Sequence, residues 1–175
     1  MTCIVGIQND KGCWIGTDSF SGSADSKGIM KEGKFVRCGK FTIGYTTSFR
    51  MAQIIDNLNK KPKTIYEFCE VIRDALKEKG FSEIDNNKEI GGTMIVSDGI
   101  EMWHVGSDFA YTQDSRNLYA IGSGYAYALG AMFVTRNEYP KQSEDWMLRA
   151  GLQVASECIP TVISPFHIRK IEEKV

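Results

Sequence analysis

Threonine stands at position 2, directly behind the initiator methionine. Its small side chain favours removal of Met1. Once exposed, the residue carries a hydroxyl nucleophile together with an α-amine, reference pKa about 7.7–8.0, that can take the hydroxyl proton near neutral pH. Asp18 follows sixteen residues later, in Ile15-Gly16-Thr17-Asp18-Ser19, and Lys34 sixteen residues after that. An ammonium close to an α-amine favours the neutral base through like-charge repulsion. A carboxylate beside that lysine holds it charged and in place. Taken singly, each residue has an ordinary role: many chains begin Met-Thr, carboxylates often end strands, and surface lysines snorkel. The chemistry requires a fold that carries positions 18 and 34 to the N-terminus.

The elements available to do this read as strands first. Residues 2–7 are rich in β-branched side chains, Asn9-Asp10-Lys11-Gly12 is turn chemistry, and residues 13–18 resume the apolar run. A Gly/Ser-rich loop is expected over residues 19–28. A second hairpin follows, with strands at 34–38 and 41–46 around Gly39-Lys40. Met51, Ile54, Ile55 and Leu58 form one helical stripe, and Ile65, Phe68, Cys69, Ile72 and Leu76 another. The second of these helices opens with the capping pattern Thr64-x-x-Glu67 and closes at Gly80.

A polar loop over residues 82–89 leads to a third hairpin, residues 92–96 and 100–105 around Ser97-Asp98-Gly99. Another strand at 118–122 ends in Gly-Ser-Gly. Tyr125, Ala128, Leu129 and Met132 predict a third helix. Ser143, followed by Glu144 and Asp145, caps a fourth with the stripe Met147, Ala150, Gly151, Val154 and Cys158. Residues 166–171 read as a closing strand.

Strands, two helices, strands, two helices, strand: hairpins predominate and helices come in pairs. Two mainly antiparallel sheets packed face to face, each covered outside by a helix pair, bury every apolar face in this pattern. The expected class is α+β, a four-layer α-β-β-α sandwich over residues 1–175 as one domain. A doubly wound parallel sheet would need helices alternating singly with strands.

Bulk properties narrow the function. The 175 residues carry 42 % apolar and 25 % charged side chains with a formal net charge of −1, a globular profile with no electrostatic reason to bind nucleic acid or an anionic membrane. No apolar run is long enough to span a bilayer, and the N-terminus lacks signal-peptide character, so a cytoplasmic location is expected. The cysteines Cys3, Cys13, Cys38, Cys69 and Cys158 contain no CxxC pair and read as buried reduced thiols. With only His104 and His167, neither a metal site nor a His-dependent triad has much material, and no cofactor is expected.

The chain resembles the proteasome family, meaning β-type subunits and the bacterial HslV peptidase. The resemblance lies in Thr2-Cys3-Ile4-Val5-Gly6, in Gly16-Thr17-Asp18-Ser19, in the thirty-two-residue step from Thr2 to Lys34, and in Ile121-Gly122-Ser123-Gly124-Tyr125. Gly92-Thr93-Met94-Ile95-Val96 is similar but less specific. The resemblance implies an N-terminal-nucleophile hydrolase with Thr2 as nucleophile, Lys34 as the lysine that tunes it, Asp18 as that lysine's partner, and Ser123 as a proton-relaying serine near the amine. It places Thr47 where relatives use a glycine N–H to bind the oxyanion, and Ser21, Glu32, Tyr45 and Phe49 around the first specificity pocket. Glu32 would suit a basic substrate side chain. The family's second aspartate has no clear counterpart, Glu157 and Ser164 being nearest.

The resemblance therefore implies a threonine-type peptidase that forms an acyl-enzyme ester on peptide or protein substrates. It also implies a homo-oligomeric ring or stacked assembly, with an ATPase unfoldase as an optional partner. Thr47 motivates an alternative, a catalytically inactive shell or scaffold protein with a blocked N-terminus. Ile121-Gly122-Ser123-Gly124 before a helix admits a third, a phosphate-binding loop, although it lacks a Walker lysine and the full GxGxxG pattern.

Overall fold

The structure is a computed structural model that describes residues 2–22, 26–81, 83–85 and 88–173. Strands β1 (Cys3–Asn9) and β2 (Gly12–Thr17) form the first hairpin, in register from Ile4 opposite Thr17 to Asn9 opposite Gly12. The Gly/Ser-rich stretch expected as loop instead folds back on itself. Residues of β3 (Phe20–Gly22) and β4 (Lys27–Ile29) pair antiparallel, with positions 23–25 outside the described residues. Strands β5 (Phe35–Cys38) and β6 (Phe41–Tyr45) make the next hairpin over Gly39, whose φ of 60° suits a residue without a Cβ.

Helix α1 (Phe49–Asp56) starts at Ser48, whose hydroxyl accepts from the N–H groups of Arg50 and Met51. Helix α2 (Ile65–Glu78) starts at Thr64, whose hydroxyl accepts from Glu67 N–H at 3.1 Å. The return bond of the expected capping box is displaced by one residue: the Glu67 carboxylate accepts from Lys63 N–H at 2.7 Å. The polar stretch after α2 is also not wholly loop, since β7 (Glu83–Asp85) and β8 (Lys88–Ile90) pair as a ribbon. Positions 82 and 86–87 of that stretch lie outside the described residues.

Strands β9 (Met94–Ser97) and β10 (Met102–Val105) form the third hairpin, closed by Asp98, whose carboxylate accepts from the N–H groups of Ile100 and Glu101. The short β11 (Tyr111–Thr112) extends it. Strand β12 (Leu118–Gly122), helices α3 (Tyr125–Glu138) and α4 (Glu144–Cys158), and β13 (His167–Ile171) complete the chain.

The larger sheets run β12-β1-β2-β13 and β11-β10-β9-β6-β5, all neighbours antiparallel. Ile4, Ile15 and Ile121 of the first meet Ile95 and Met102 of the second in a buried layer between them. Outside the first sheet, Val5 and Ile7 pack on Ala128 and Met132 of α3 and on Leu148 and Leu152 of α4. Outside the second, Phe41, Ile43 and Val96 pack on Met51 and Ile55 of α1 and on Phe68 and Ile72 of α2. This is the α-β-β-α sandwich expected from the element order. Each fully buried aliphatic in these layers contributes about 1.5–3 kcal/mol of transfer free energy.

Two helical faces differ from the periodic pattern. Tyr125 is exposed rather than part of the α3 stripe, and α4 buries Met147, Leu148, Gly151, Leu152 and Ala155 while Val154 and Cys158 face outward. Both α4 stripes satisfy a 3.6-residue period, and packing against the sheet selects the one carrying two leucines. Cys158 is consequently exposed, while the other four thiols are buried.

Candidate functional site

The first sheet places position 2 at its heart. β1 lies between β2 and β12, so the residue before Cys3 emerges between Thr17 at the end of β2 and Gly122 at the end of β12. Asp18, next after β2, continues the pairing by donating its backbone N–H to the carbonyl of Cys3 at 3.2 Å. Lys34 enters from the other sheet, immediately before β5, and its backbone N–H donates to Thr17 Oγ1 at 3.1 Å. The spacing of sixteen and sixteen is thus one hairpin plus one sheet-to-sheet crossing.

Asp18 and Lys34 are 0 % and 1 % exposed, an uncommon degree of burial for ionisable side chains. Lys34 Nζ donates to Asp18 Oδ1 at 2.6 Å, and the same oxygen accepts from Cys3 N–H at 3.0 Å. The other carboxylate oxygen accepts from Phe20 N–H at 2.8 Å. Each Asp18 oxygen is therefore occupied, and Oδ1 ties the ammonium to the peptide that follows Thr2. Burial pulls the Lys34 ammonium below the ordinary lysine value, against the opposing field and hydrogen bond of Asp18. The same burial, with Asp18 adding to it, pushes the Cys3 thiol up to about 12, leaving it inert beside the site.

Ser123 does not cap α3, as a loop serine before a helix ordinarily would; Gly124 is the cap residue and has no side-chain cap bond. The Ser123 hydroxyl instead donates to the carbonyl oxygen of Thr2 at 3.3 Å. The flanking glycines have a local cause. Gly122 has φ 92°, and a Cβ there would lie 2.1 Å from the Thr2 carbonyl oxygen, while a Cβ on Gly124 would press on the Cys3 side chain at 3.1 Å. The Gly-Ser-Gly segment is shaped to receive the N-terminal strand, which removes the motive for treating it as a phosphate loop.

A cavity of about 410 Å³ opens beside these residues, and Thr2, Ser21, Lys34, Tyr45, Thr47 and Phe49 line it. Thr2 itself is 6 % exposed. Thr47 has φ 77°, the left-handed conformation in which glycine is at ease and a β-branched residue is an outlier. Thr47 thus carries a β-branched side chain on a glycine-type backbone. Its neighbour Thr46 is anchored by both N–H and hydroxyl to the Thr93 carbonyl, at 3.1 and 3.0 Å, and the Thr46 and Thr47 hydroxyls lie 3.2 Å apart.

Glu32 is exposed and is not among the lining residues. Glu157 lies on the exposed face of α4, bonded to Gln153, whereas Ser164 belongs to the segment that rests on Ser19, through Ile163 O accepting from Ser19 N–H at 2.9 Å. Phe20, Thr46, Ser48 and Arg50 also line the cavity and were not singled out from sequence. Reading Ser48 as the cap of α1 would have placed Arg50 in the first turn, at the cavity wall. Met1 lies outside the described residues, and among those described no group of three metal-ligating side chains converges.

No protein-family model matches the chain, and no curated protein matches it. Solved structures do. BPH from Thiobacillus denitrificans in complex with epoxomicin superposes with a TM-score of 0.82 at 20 % identity, covering 98 % of this chain and all (100 %) of that one. Eukaryotic HslV from Trypanosoma brucei gives 0.70 at 17 % identity, covering 96 % and 98 %. The Anbu (Gly-1) mutant from Hyphomicrobium sp. strain MC1 gives 0.70 at 12 %, covering 99 % of this chain and 82 % of that one. The chain thus shares the fold of BPH and HslV.

Proposed function

We propose that this protein is a threonine-type peptidase or amide hydrolase, acting through Thr2 after Met1 is removed. The observation that carries the proposal is the buried Lys34–Asp18 pair, tied by one carboxylate oxygen to the peptide after Thr2 and bordering the cavity that Thr2 lines. In this mechanism Thr2 Oγ attacks the substrate carbonyl carbon and its proton passes to the Thr2 α-amine. The Lys34 charge keeps that amine neutral beforehand. The tetrahedral oxyanion is held by the Thr47 backbone N–H. Collapse breaks the C–N bond, the departing amine takes the proton, and an ester remains on Thr2. A water deprotonated by the same α-amine then cleaves the ester, with Ser123 relaying protons between the amine and solvent.

The fold supports this reading, as does the glycine-type backbone that Thr47 retains. With that conformation kept, the motive for an inactive shell protein is weak. The substrate class is peptide or unfolded protein, and a homo-oligomeric assembly follows from the same reading. Tyr125, Tyr127, Phe133 and Val134 of α3, with Tyr139 and Trp146 beside them, expose apolar surface suited to contact between copies. Size-exclusion chromatography with light scattering reads that assembly directly.

The function is tested by intact mass and peptide hydrolysis on protein purified from its native start codon. The proposal expects a mass lacking one methionine and turnover of fluorogenic peptides that disappears in Thr2→Ala. Turnover surviving in Thr2→Ala would refute it.

A further inference from the structure

Among the described residues that line the Thr2 cavity there is no aspartate or glutamate, and two are cationic, Lys34 and Arg50. Lys34 is committed to Asp18 at 2.6 Å and is buried. Arg50 is exposed, in the first turn of α1, and its guanidinium makes no hydrogen bond or ion pair among the described residues, while its backbone N–H donates to Ser48 Oγ at 3.0 Å. No acidic residue lies in that first turn to neutralise it. Arg50 also borders a second cavity of about 460 Å³ whose other described walls include Gln53, Asn57 and Lys79 and again no carboxylate. The carboxylate that acts on the Tyr45 hydroxyl, Asp56, does so from outside the Thr2 cavity and accepts from Arg37 N–H.

We infer that Arg50 is a specificity-determining residue, selecting substrates with an acidic side chain on the acyl side of the cleaved bond. This deepens the hydrolase reading and rests on it. The rest of the cavity fits the stem of such a side chain: Tyr45 and Phe49, edge to face at 6.4 Å, supply an apolar wall, and the hydroxyls of Ser21 and Ser48 supply polar contacts. A glutamate stem lies along the aromatic wall and its carboxylate meets the guanidinium in the bidentate geometry arginine favours. Glu32, outside the cavity, gives no counter-charge for a basic side chain, so lysine or arginine at that position is disfavoured.

The experiment compares fluorogenic peptides that differ only in Glu, Gln, Lys or Leu at the residue whose carbonyl is attacked. In the unaltered protein kcat/KM for Glu exceeds that for the isosteric Gln by roughly three- to tenfold at low ionic strength, shrinking as salt screens the pair. Arg50→Gln brings the Glu/Gln ratio to about one, and Arg50→Glu makes Lys preferred over Gln. A Glu/Gln ratio that Arg50→Gln leaves unaltered, with the Leu peptide still cleaved, overturns this inference and leaves the hydrolase reading intact. If no peptide is cleaved and Thr2 reacts with no acylating probe, the hydrolase reading fails and this inference with it.

Discussion

Replacing Thr47 by glycine should make the protein more stable, although it deletes a side chain. At φ 77° an L-residue brings Cβ too close to its own backbone, a cost of about 1–2 kcal/mol, and β-branching places threonine at the upper end of that range. Glycine removes the cost. It also widens the unfolded ensemble, which takes back about 0.4–1 kcal/mol. The 3.2 Å contact between the Thr46 and Thr47 hydroxyls is lost, but Thr47 is exposed and water replaces it, while Thr46 keeps both bonds to Thr93. The balance is a gain of about 1 kcal/mol, or roughly 2–4 °C in melting temperature for a chain of this length. Differential scanning calorimetry at fixed protein concentration measures it, with Thr47→Ala as the comparison, which keeps most of the strain and gains less. A glycine variant that melts at or below the parent would show that the loop does not hold Thr47 in the left-handed region.

Further outcomes follow from the same geometry. Lys34→Met leaves a fully buried carboxylate without its cation and should cost about 3–5 kcal/mol by urea unfolding, nearer the lower figure because Asp18 keeps two backbone donors; adding Asp18→Asn should recover most of it, as a double-mutant cycle will read. Gly122→Ala must fit a Cβ 2.1 Å from the Thr2 carbonyl oxygen at φ 92°, so loss of more than about 2 kcal/mol is expected, with activity lost even where the fold survives. Ile95→Ala, between the sheets, should cost about 2–5 kcal/mol in the same assay. Iodoacetamide at pH 8 should modify the exposed Cys158 and spare Cys3, whose pKa of about 12 leaves roughly one thiolate in ten thousand; peptide mapping shows which is labelled.

Much of this architecture was legible in the sequence because it is written in periodicity. The hairpins at Gly12, Gly39 and Gly99 follow turn chemistry, and the α1 and α2 stripes name the residues that face the second sheet. What periodicity could not decide was rotation about a helix axis. In α4, Val154 and Leu152 both lie on plausible apolar faces, and only packing against β1 and β2 separates them. The β3–β4 and β7–β8 ribbons were missed because each strand is only three residues long, too short for an alternating pattern to stand out among Gly, Ser and charged residues. In the site, the β1–β2 hairpin fixes the step from Thr2 to Asp18, and the step to Lys34 is a crossing to the other sheet. The residue type of Thr47 gives no hint of its left-handed backbone, since threonine is disfavoured there; only the resemblance, which sets it against a glycine, points that way. Arg50 was overlooked because a charged residue opening a surface helix has an ordinary explanation until the cavity beside it is seen.

The central claim is that one residue supplies both nucleophile and base, and a peptide epoxyketone tests that most directly. Its ketone is attacked by a hydroxyl and its epoxide by an amine, so a stable cyclic adduct forms only where both groups belong to the same N-terminal residue. Mass spectrometry of the treated protein should find the adduct on Thr2, in a chain lacking Met1, and none in Thr2→Ala. Protein that retains Met1 and takes up no probe under conditions where it is folded would contradict the account.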